Sequence, residues 1–407
     1  MRRYGELSRG AERSSPRQFF PDCTIAMRGY DFREGQLMAL AHRDLVAPFH
    51  HVAFHGPDQL PASYSIAIRS QAEERRWKCK YLGAQECNSR CWGSAAARSA
   101  NSWCAAIHST RSARSRGRDA GVNYFDTAVQ YGNGESEKNL GRVLQTLKPA
   151  NVVVGTKVRL PSGDFGRIAD SVAKSLEGSL ARLRLDRIDI FHLHNAITET
   201  GSGEALSVQQ VLGEVVPAFE RLRQHGKIRF LGFTAIGDTA ALHQVIDARA
   251  FDSAQAVYNM LNPSAAVELP ANYPAQDYRR VFDHTRAAGV GVVGIRVLAG
   301  GALSGSADRH PIASPPPEPI GSATSYEADV MRARRLRALV HEGFAASLTE
   351  AATRFALSHP AMGTILVGMA TPQQFEDALA AAEKGPLPQA ALERLSALGK
   401  AFAGEAR

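Results

Sequence analysis

GVNYFDTAVQYGNG, residues Gly121–Gly134, opens the readable part of this chain. Val122–Phe125 reads as a short buried strand. It ends on an acid, Asp126, and gives way to a glycine-containing turn that carries Tyr131. A carboxylate at a strand end with a phenol five residues on is a starting point for proton-transfer chemistry. Downstream the same texture repeats. Apolar runs at Val152–Thr156, Ile188–Leu193, Ile228–Phe233, Ala254–Tyr258, Val290–Ile295 and Thr364–Val367 alternate with amphipathic stretches at Ile168–Leu183, Val208–His225, Thr239–Ala248 and Asp277–Ala288. Strands apolar on both faces, each followed by a helix, predict a parallel sheet covered by helices. A period of about 30–40 residues suits a (β/α)8 barrel. A doubly wound sheet is the alternative, but no glycine-rich G-x-G-x-x-G turn follows any of these runs. Seven strands are countable, and the eighth is expected before Val122.

That is where the composition changes. Residues 1–118 carry 19 Lys+Arg against 10 Asp+Glu, and the rest carries 29 against 30. All five Cys and all three Trp also lie before residue 118. We therefore divide the chain into a basic N-terminal segment, 1–118, and a barrel, 119–407. Between Ser89 and Arg118 the chain is rich in Ser, Arg and Ala and lacks the apolar content of a core. Cys87-x3-Cys91-x12-Cys104-x3-His108 has the spacing of a small zinc finger. Its intervening residues, WGSAAARSANSW, are too small to form a finger's core, so no metal site is expected. The basic charge is diffuse and no recognition helix is visible, so a nucleic-acid partner is not expected either. No apolar run reaches the ~18 residues of a membrane span, and the basic start MRRYGELSRG is not followed by the apolar stretch of an export signal. With no cysteine in the barrel, a reducing, cytoplasmic setting is expected.

Inward-facing side chains recur every second residue in a strand. This puts Val122, Tyr124 and Asp126 on one face, Val153, Gly155 and Lys157 on the next, and Ile190, His192 and His194 on the third. Each series ends on an ionisable residue at the C-terminal end of its strand, the end at which parallel barrels place their active sites. Asp126, Lys157 and His194 are thus predicted to meet at one mouth, with Tyr131 above them and His192 as a core histidine. Such a set suits carbonyl reduction. Tyr131 would protonate the oxygen as hydride reaches the carbon. Lys157 would lower the phenol from its ordinary pKa of about 10. Asp126 would hold the lysine, and His194 would orient the carbonyl. No side chain supplies hydride, so a nicotinamide cofactor is required. The glycine cluster Gly300–Gly305 suits backbone N–H contacts to an anion, and Ser306–Asp329 reads as a long surface loop, a lid or a linker.

From Ala120 to Ala382 the chain resembles the aldo-keto reductases, NAD(P)H-dependent enzymes with a (β/α)8 barrel. NYFDTAVQYGNGESEKNLGRVL is similar to that family's acid-and-tyrosine signature, VVVGTKV to its lysine strand, and SLEGSLARLRLDRIDIFHLHN to its helix and histidine strand. KIRFLGFT, QAVYNMLN and VVGIRVLAGGAL match further segments. The resemblance implies a catalytic tetrad of Asp126, Tyr131, Lys157 and His194, a small carbonyl or alcohol substrate, and NADP(H) or NAD(H) as cofactor. It implies that Gln255 bonds the nicotinamide carboxamide, with Thr234 and Ala235 where many members have Ser-Asn. Ile295 stands where many members stack an aromatic ring. Leu298 and Gly300 resemble the pyrophosphate loop. Gly368, Thr371, Gln374 and Asp377 resemble the adenosine end, with Gln374 replacing an arginine common there for the 2′-phosphate. A catalytically silent barrel that binds nucleotide or serves as an interaction subunit is the alternative function.

Lys80–Gly83, KYLG, is similar to the family's opening. The residues from there to Ala120 have about the length of the absent strand and helix but not their character. We read about 84–118 as translated in a shifted frame, and 1–79 as upstream sequence. Retranslation of the coding DNA should reveal an apolar strand followed by an amphipathic helix in another frame. If neither alternative frame contains them, this reading is wrong.

Overall fold

The computed structural model describes residues 122–148, 152–311, 313 and 316–405. The expected eighth strand, the zinc-finger-like spacing and the whole 1–118 segment lie outside the described residues. Seven parallel strands form one curled sheet: β1 (Tyr124–Asp126), β2 (Val153–Val158), β3 (Ile188–Leu193), β6 (Ile228–Thr234), β7 (Ser253–Val257), β8 (Gly291–Ile295) and β9 (Met362–Ile365), in that spatial order. A short pair, β4 (Ile197–Thr198) and β5 (Leu206–Ser207), stands apart. Neighbours in the main sheet are neighbours in sequence, as crossover helices on one side of a barrel require. The registers put Asp126 opposite Gly155, Lys157 opposite His192, His192 opposite Gly232, and Thr234 opposite Gln255. All seven expected strands are present, their ends displaced by at most two residues. No helix among the described residues is long and apolar enough to cross a membrane.

The longer helices are α1 (Glu135–Leu147), α2 (Ile168–Leu183), α3 (Val216–Gln224), α4 (Thr239–Asp247), α5 (Val281–Ala288), α6 (Tyr326–Arg335), α7 (Leu348–Ala356), α8 (Pro372–Glu383) and α9 (Gln389–Lys400). On α2, Ile168, Val172, Leu176, Leu180 and Leu183 are buried at three- and four-residue spacing, so one stripe faces the sheet. Two apolar clusters result. The larger lies between sheet and helices. A small one, Tyr124, Ile190 and Val293, lies on the sheet's inner face.

Two expectations need correction, and a third element forms with one irregular turn. The helix read over Asp277–Ala288 begins only at Val281. The Asp277 carboxylate accepts the Arg279 N–H at 2.8 Å, the Ser264 hydroxyl oxygen accepts the Tyr278 N–H at 2.9 Å, and Arg279 and Arg280 are left-handed. Local polar bonds thus outcompete the first helical turn. The helix read over Val208–His225 starts with a Ser207–Gln210 capping box but widens into a π-turn at Val211–Val215 before α3. Pro217, in the first turn of α3, has no N–H to continue the ladder. The loop read as Ser306–Asp329 ends at Ser325, whose side chain caps α6. It is tied down, with Arg309 donating to the Gly300 carbonyl at 2.6 Å.

α1 is fastened to the sheet through a charge. The Glu137 side chain is fully buried. One carboxylate oxygen accepts from Thr156 Oγ1 and the other from Arg182 Nε, both at 2.6 Å. Gly134 makes room for the arginine: a Cβ there would stand 2.7 Å from Arg182 Cδ, and its φ of +87° is left-handed. Arg182→Met should leave Glu137 buried without its counter-charge and cost about 3–5 kcal/mol in urea unfolding. A loss below about 1 kcal/mol would show that the pair is not holding α1.

His192 is fully buried against Gly232, and burial followed by the Lys157 charge depresses its imidazole to about 3. The unfolded imidazole takes a proton below its ordinary 6.5, whereas the folded one does not until about 3. Its contribution to stability is therefore intact above 6.5 and is lost as pH falls from 6.5 toward 3. In His192→Leu, the fall of unfolding free energy across that window should be shallower than in the wild type, by up to about 1.4 kcal/mol per pH unit. Parallel slopes would mean that His192 is not buried neutral.

Candidate active site

Asp126 ends β1, Lys157 lies near the end of β2, and His194 directly follows β3, so all three sit at the C-terminal rim of the sheet. Tyr131 sits in the turn between β1 and α1, where the Tyr131 and Glu135 N–H groups close successive turns onto Ala128 and Gly132. The Lys157 side chain is 1% exposed and its ammonium has three acceptors. They are the Asp126 carboxylate, the Thr127 carbonyl at 2.9 Å and the Tyr131 hydroxyl at 3.2 Å. The ammonium also lies 4.7 Å from the centre of the Tyr131 ring. Three residues of one short stretch, all distant in sequence from Lys157, thus share its nitrogen.

Asp126 is equally enclosed. One oxygen takes Lys157. The other accepts from Gln255 Nε2 at 2.7 Å and from the Tyr124 hydroxyl at 3.1 Å. Burial pushes its carboxyl above the usual carboxylate range, and the Lys157, Tyr124 and Gln255 contacts pull it back. The His194 ring meets Tyr131 edge-on with centres 6.1 Å apart. Burial, reinforced by the charges of Lys157, Arg159 and Arg296, holds His194 well below its ordinary pKa, so its imidazole is neutral near pH 7. Its Nδ1 has no hydrogen-bond partner among the described residues. A neutral ring of this kind can donate to a carbonyl oxygen without competing for the proton.

The predicted cofactor residues fall in three places along the same rim. Thr234 ends β6 and Ala235 follows it. Thr234 Oγ1 donates to Gln255 Oε1 at 3.3 Å, and the Ala235 N–H donates to the Gln255 carbonyl at 2.8 Å. Gln255 therefore belongs to the Asp126 network as well as to this group. Ile295 and Leu298 are half-buried at the end of β8. They lead into the 3-10 turn Ala299–Ser304, where Gly300 and Gly301 are left-handed. Gly368 precedes α8, and Thr371 caps it by accepting from the Gln374 N–H at 3.2 Å. Gln374 Oε1 turns back to accept the Ala370 N–H at 2.6 Å, and Asp377 accepts from Gln373. Sequence reasoning missed two neighbours. Tyr124 donates to Asp126, and its signal was the two-residue alternation that already placed it on the inward face. Arg296, whose charge reaches His194, was signalled only by its place one residue past β8.

Comparison with known proteins gives the chain a family and relatives of the same fold. The family model "Aldo/keto reductase family" matches residues 115–400. The chain is 30% identical to L-galactose dehydrogenase of Arabidopsis thaliana over 268 residues, 64% of this chain and 74% of that protein. It is 33% identical to D-threo-aldose 1-dehydrogenase of a Pseudomonas species over 180 residues, 38% of this chain and 52% of that protein. Its fold is similar to the holo form of an aldo-keto reductase from Bacillus halodurans, with TM-score 0.53 and 23% identity, covering 80% of this chain and 94% of that one. It is also similar to an aldo/keto reductase from Klebsiella pneumoniae in complex with NADP and acetate, with TM-score 0.51 and 19% identity, covering 79% and 91%. With a parallel barrel sheet and a family match over most of its length, the chain belongs to the aldo/keto reductase family of oxidoreductases, which act on carbonyl and alcohol groups.

Proposed function

We propose that this protein is a nicotinamide-dependent carbonyl reductase, working in reverse as an alcohol dehydrogenase, with Tyr131 as the general acid. The observation that carries the reading is the single Lys157 ammonium held by Asp126 and hydrogen-bonded to Tyr131. The nicotinamide, when bound, supplies the hydride. The protein's part is to place the carbonyl oxygen between the Tyr131 hydroxyl and the His194 ring and to deliver the proton. As the carbonyl carbon gains hydride, its oxygen takes the Tyr131 proton and becomes the alcohol. The phenolate left behind is stabilised by the ammonium beside it. Asp126 keeps that ammonium charged and aimed. Oxidation of an alcohol runs the same steps backwards, with the phenolate as base.

The residues present fit such a cofactor. Half-buried Ile295 would offer an apolar face to the nicotinamide ring, and Thr234, Ala235 and Gln255, which are bonded to one another, would stand on the side of its amide. Leu298 and the Gly300 turn, with an Arg296 Nη1 beside it, suit a pyrophosphate. Gly368, Thr371, Gln374 and Asp377 suit the adenosine end. Leu366–Asp377 contains no Lys or Arg, Gln374 is committed to the Ala370 N–H, and the acids Glu376 and Asp377 follow. A 2′-phosphate would find no cation there, while a ribose diol would find acceptors, so this reading favours NAD(H) over NADP(H).

Purified protein with a panel of aldehydes, ketones and sugars should show nicotinamide absorbance changes, with kcat/KM at least tenfold higher for NADH than for NADPH. Equal or reversed preference would overturn the coenzyme reading. Tyr131→Phe should lower kcat by about 10²–10⁴ while leaving coenzyme affinity within a few-fold of wild type. Retained turnover in that variant would remove Tyr131 from its role. No turnover on any substrate of the panel would favour the silent-barrel alternative.

A further inference from the structure

We propose that Tyr124, a buried phenol outside the set that reaches substrate, is a positioning residue that keeps Asp126 ionised and aimed at Lys157. The inference rests on the carbonyl-reductase reading of the site and adds to it a residue two positions before the acid. Tyr124 is 2% exposed and lies on the inner face of the sheet with Ile190 and Val293. Its hydroxyl donates to Asp126 Oδ1 at 3.1 Å, the same oxygen that takes the Gln255 amide at 2.7 Å. Lys157 takes the other oxygen. The carboxylate is therefore divided between two neutral donors and one ammonium.

The neighbouring strand is shaped around this phenol. Gly155 stands opposite Asp126 in the β1–β2 register, and a Cβ there would sit 2.5 Å from the Tyr124 hydroxyl oxygen. Any side chain at 155 would displace the hydroxyl, so the glycine and the tyrosine make one device. The groups that face Asp126 are Tyr124 from its own strand, Lys157 from β2 and Gln255 from β7, and Lys157 in turn donates to Tyr131 in the turn above. Burial raises the Asp126 carboxyl, and every one of its hydrogen-bond donors opposes that rise. Burial, with the Asp126 charge beside it, also pushes the Tyr124 phenol far above its ordinary value, so it remains a donor throughout the working range. Without its donation, Asp126 takes up a proton at higher pH. Lys157 then loses its counter-charge, and the Tyr131 hydroxyl loses a fixed neighbour.

The test compares wild type, Tyr124→Phe and Gly155→Ala. Tyr124→Phe keeps the ring and deletes only the donor, and thermal unfolding with near-ultraviolet dichroism checks that it is folded. In the protein without coenzyme, the infrared band of the protonated Asp126 carboxyl, identified by its absence from Asp126→Asn, should titrate about one pH unit higher in Tyr124→Phe than in wild type. With coenzyme and carbonyl, the acid limb of kcat should move up by a similar amount, giving about a tenfold loss of kcat on that limb. KM should stay within about twofold. Gly155→Ala should move the band and the limb in the same direction. An Asp126 band at the wild-type pH in both variants would overturn the inference, as would a loss of kcat that is uniform across pH. The infrared titration needs no turnover, so it decides the role of Tyr124 even if Tyr131→Phe proves active and the reductase reading falls.

Discussion

An ammonium with almost no exposure to water is the constraint around which this barrel is arranged. Lys157 gives up its hydration and recovers it only by meeting three acceptors, from β1, from the residue after it and from the following turn. A buried ion pair missing one partner is strongly destabilising. The register of β1 on β2 and the path of the turn to Tyr131 are therefore not free to drift. The geometry proposed for proton transfer is the same geometry that makes the buried charge tolerable.

A second layer of bonds holds the first in place. Thr156, next to Lys157 in β2, points to the opposite face and donates to the Glu137 carboxylate of α1. Thr127, next to Asp126, shares a hydrogen bond at 2.8 Å with Ser136 at the start of the same helix. Alternation along a strand makes this possible. One residue reaches inward to the site, and the next reaches outward to the helix that carries the tyrosine turn. Arg182 on α2 closes the network from outside.

Around the mouth, charge is distributed unevenly in a useful way. The carboxylate nearest to Tyr131 is consumed by Lys157, while Arg159 and Arg296 add positive potential toward His194. Burial first, and these charges with that of Lys157 second, keep the histidine neutral. At the far end of the rim the balance reverses, since the start of α8 holds two acids and no base. On the proposed function, the cationic centre would meet developing negative charge and the acidic end would meet the hydroxyl groups of a ribose.

Much of this was legible from one dimension. Continuous apolar runs located all seven strands, because strands buried on both faces leave no alternative pattern. The two-residue period named Asp126, Lys157 and His194 as inward-facing at strand ends. Helix starts were less legible. Asp277–Arg280 has helical periodicity, and local polar bonds turn it aside, whereas the helix over Val208–Gln224 forms and only widens into a π-turn at Val211–Val215. The partners of Asp126 were out of reach. Gln255 lies 129 residues away from it, and no local pattern records which donor a carboxylate will choose. Fold class and the ionisable residues at the strand ends could be read from residue order, since burial and alternation act within a few residues. How those charges are shared, which histidine is neutral beside the tyrosine and which glycine yields to a phenol emerge only when the strands are assembled. Those outcomes depend on register and close approach between segments that the chain order keeps apart.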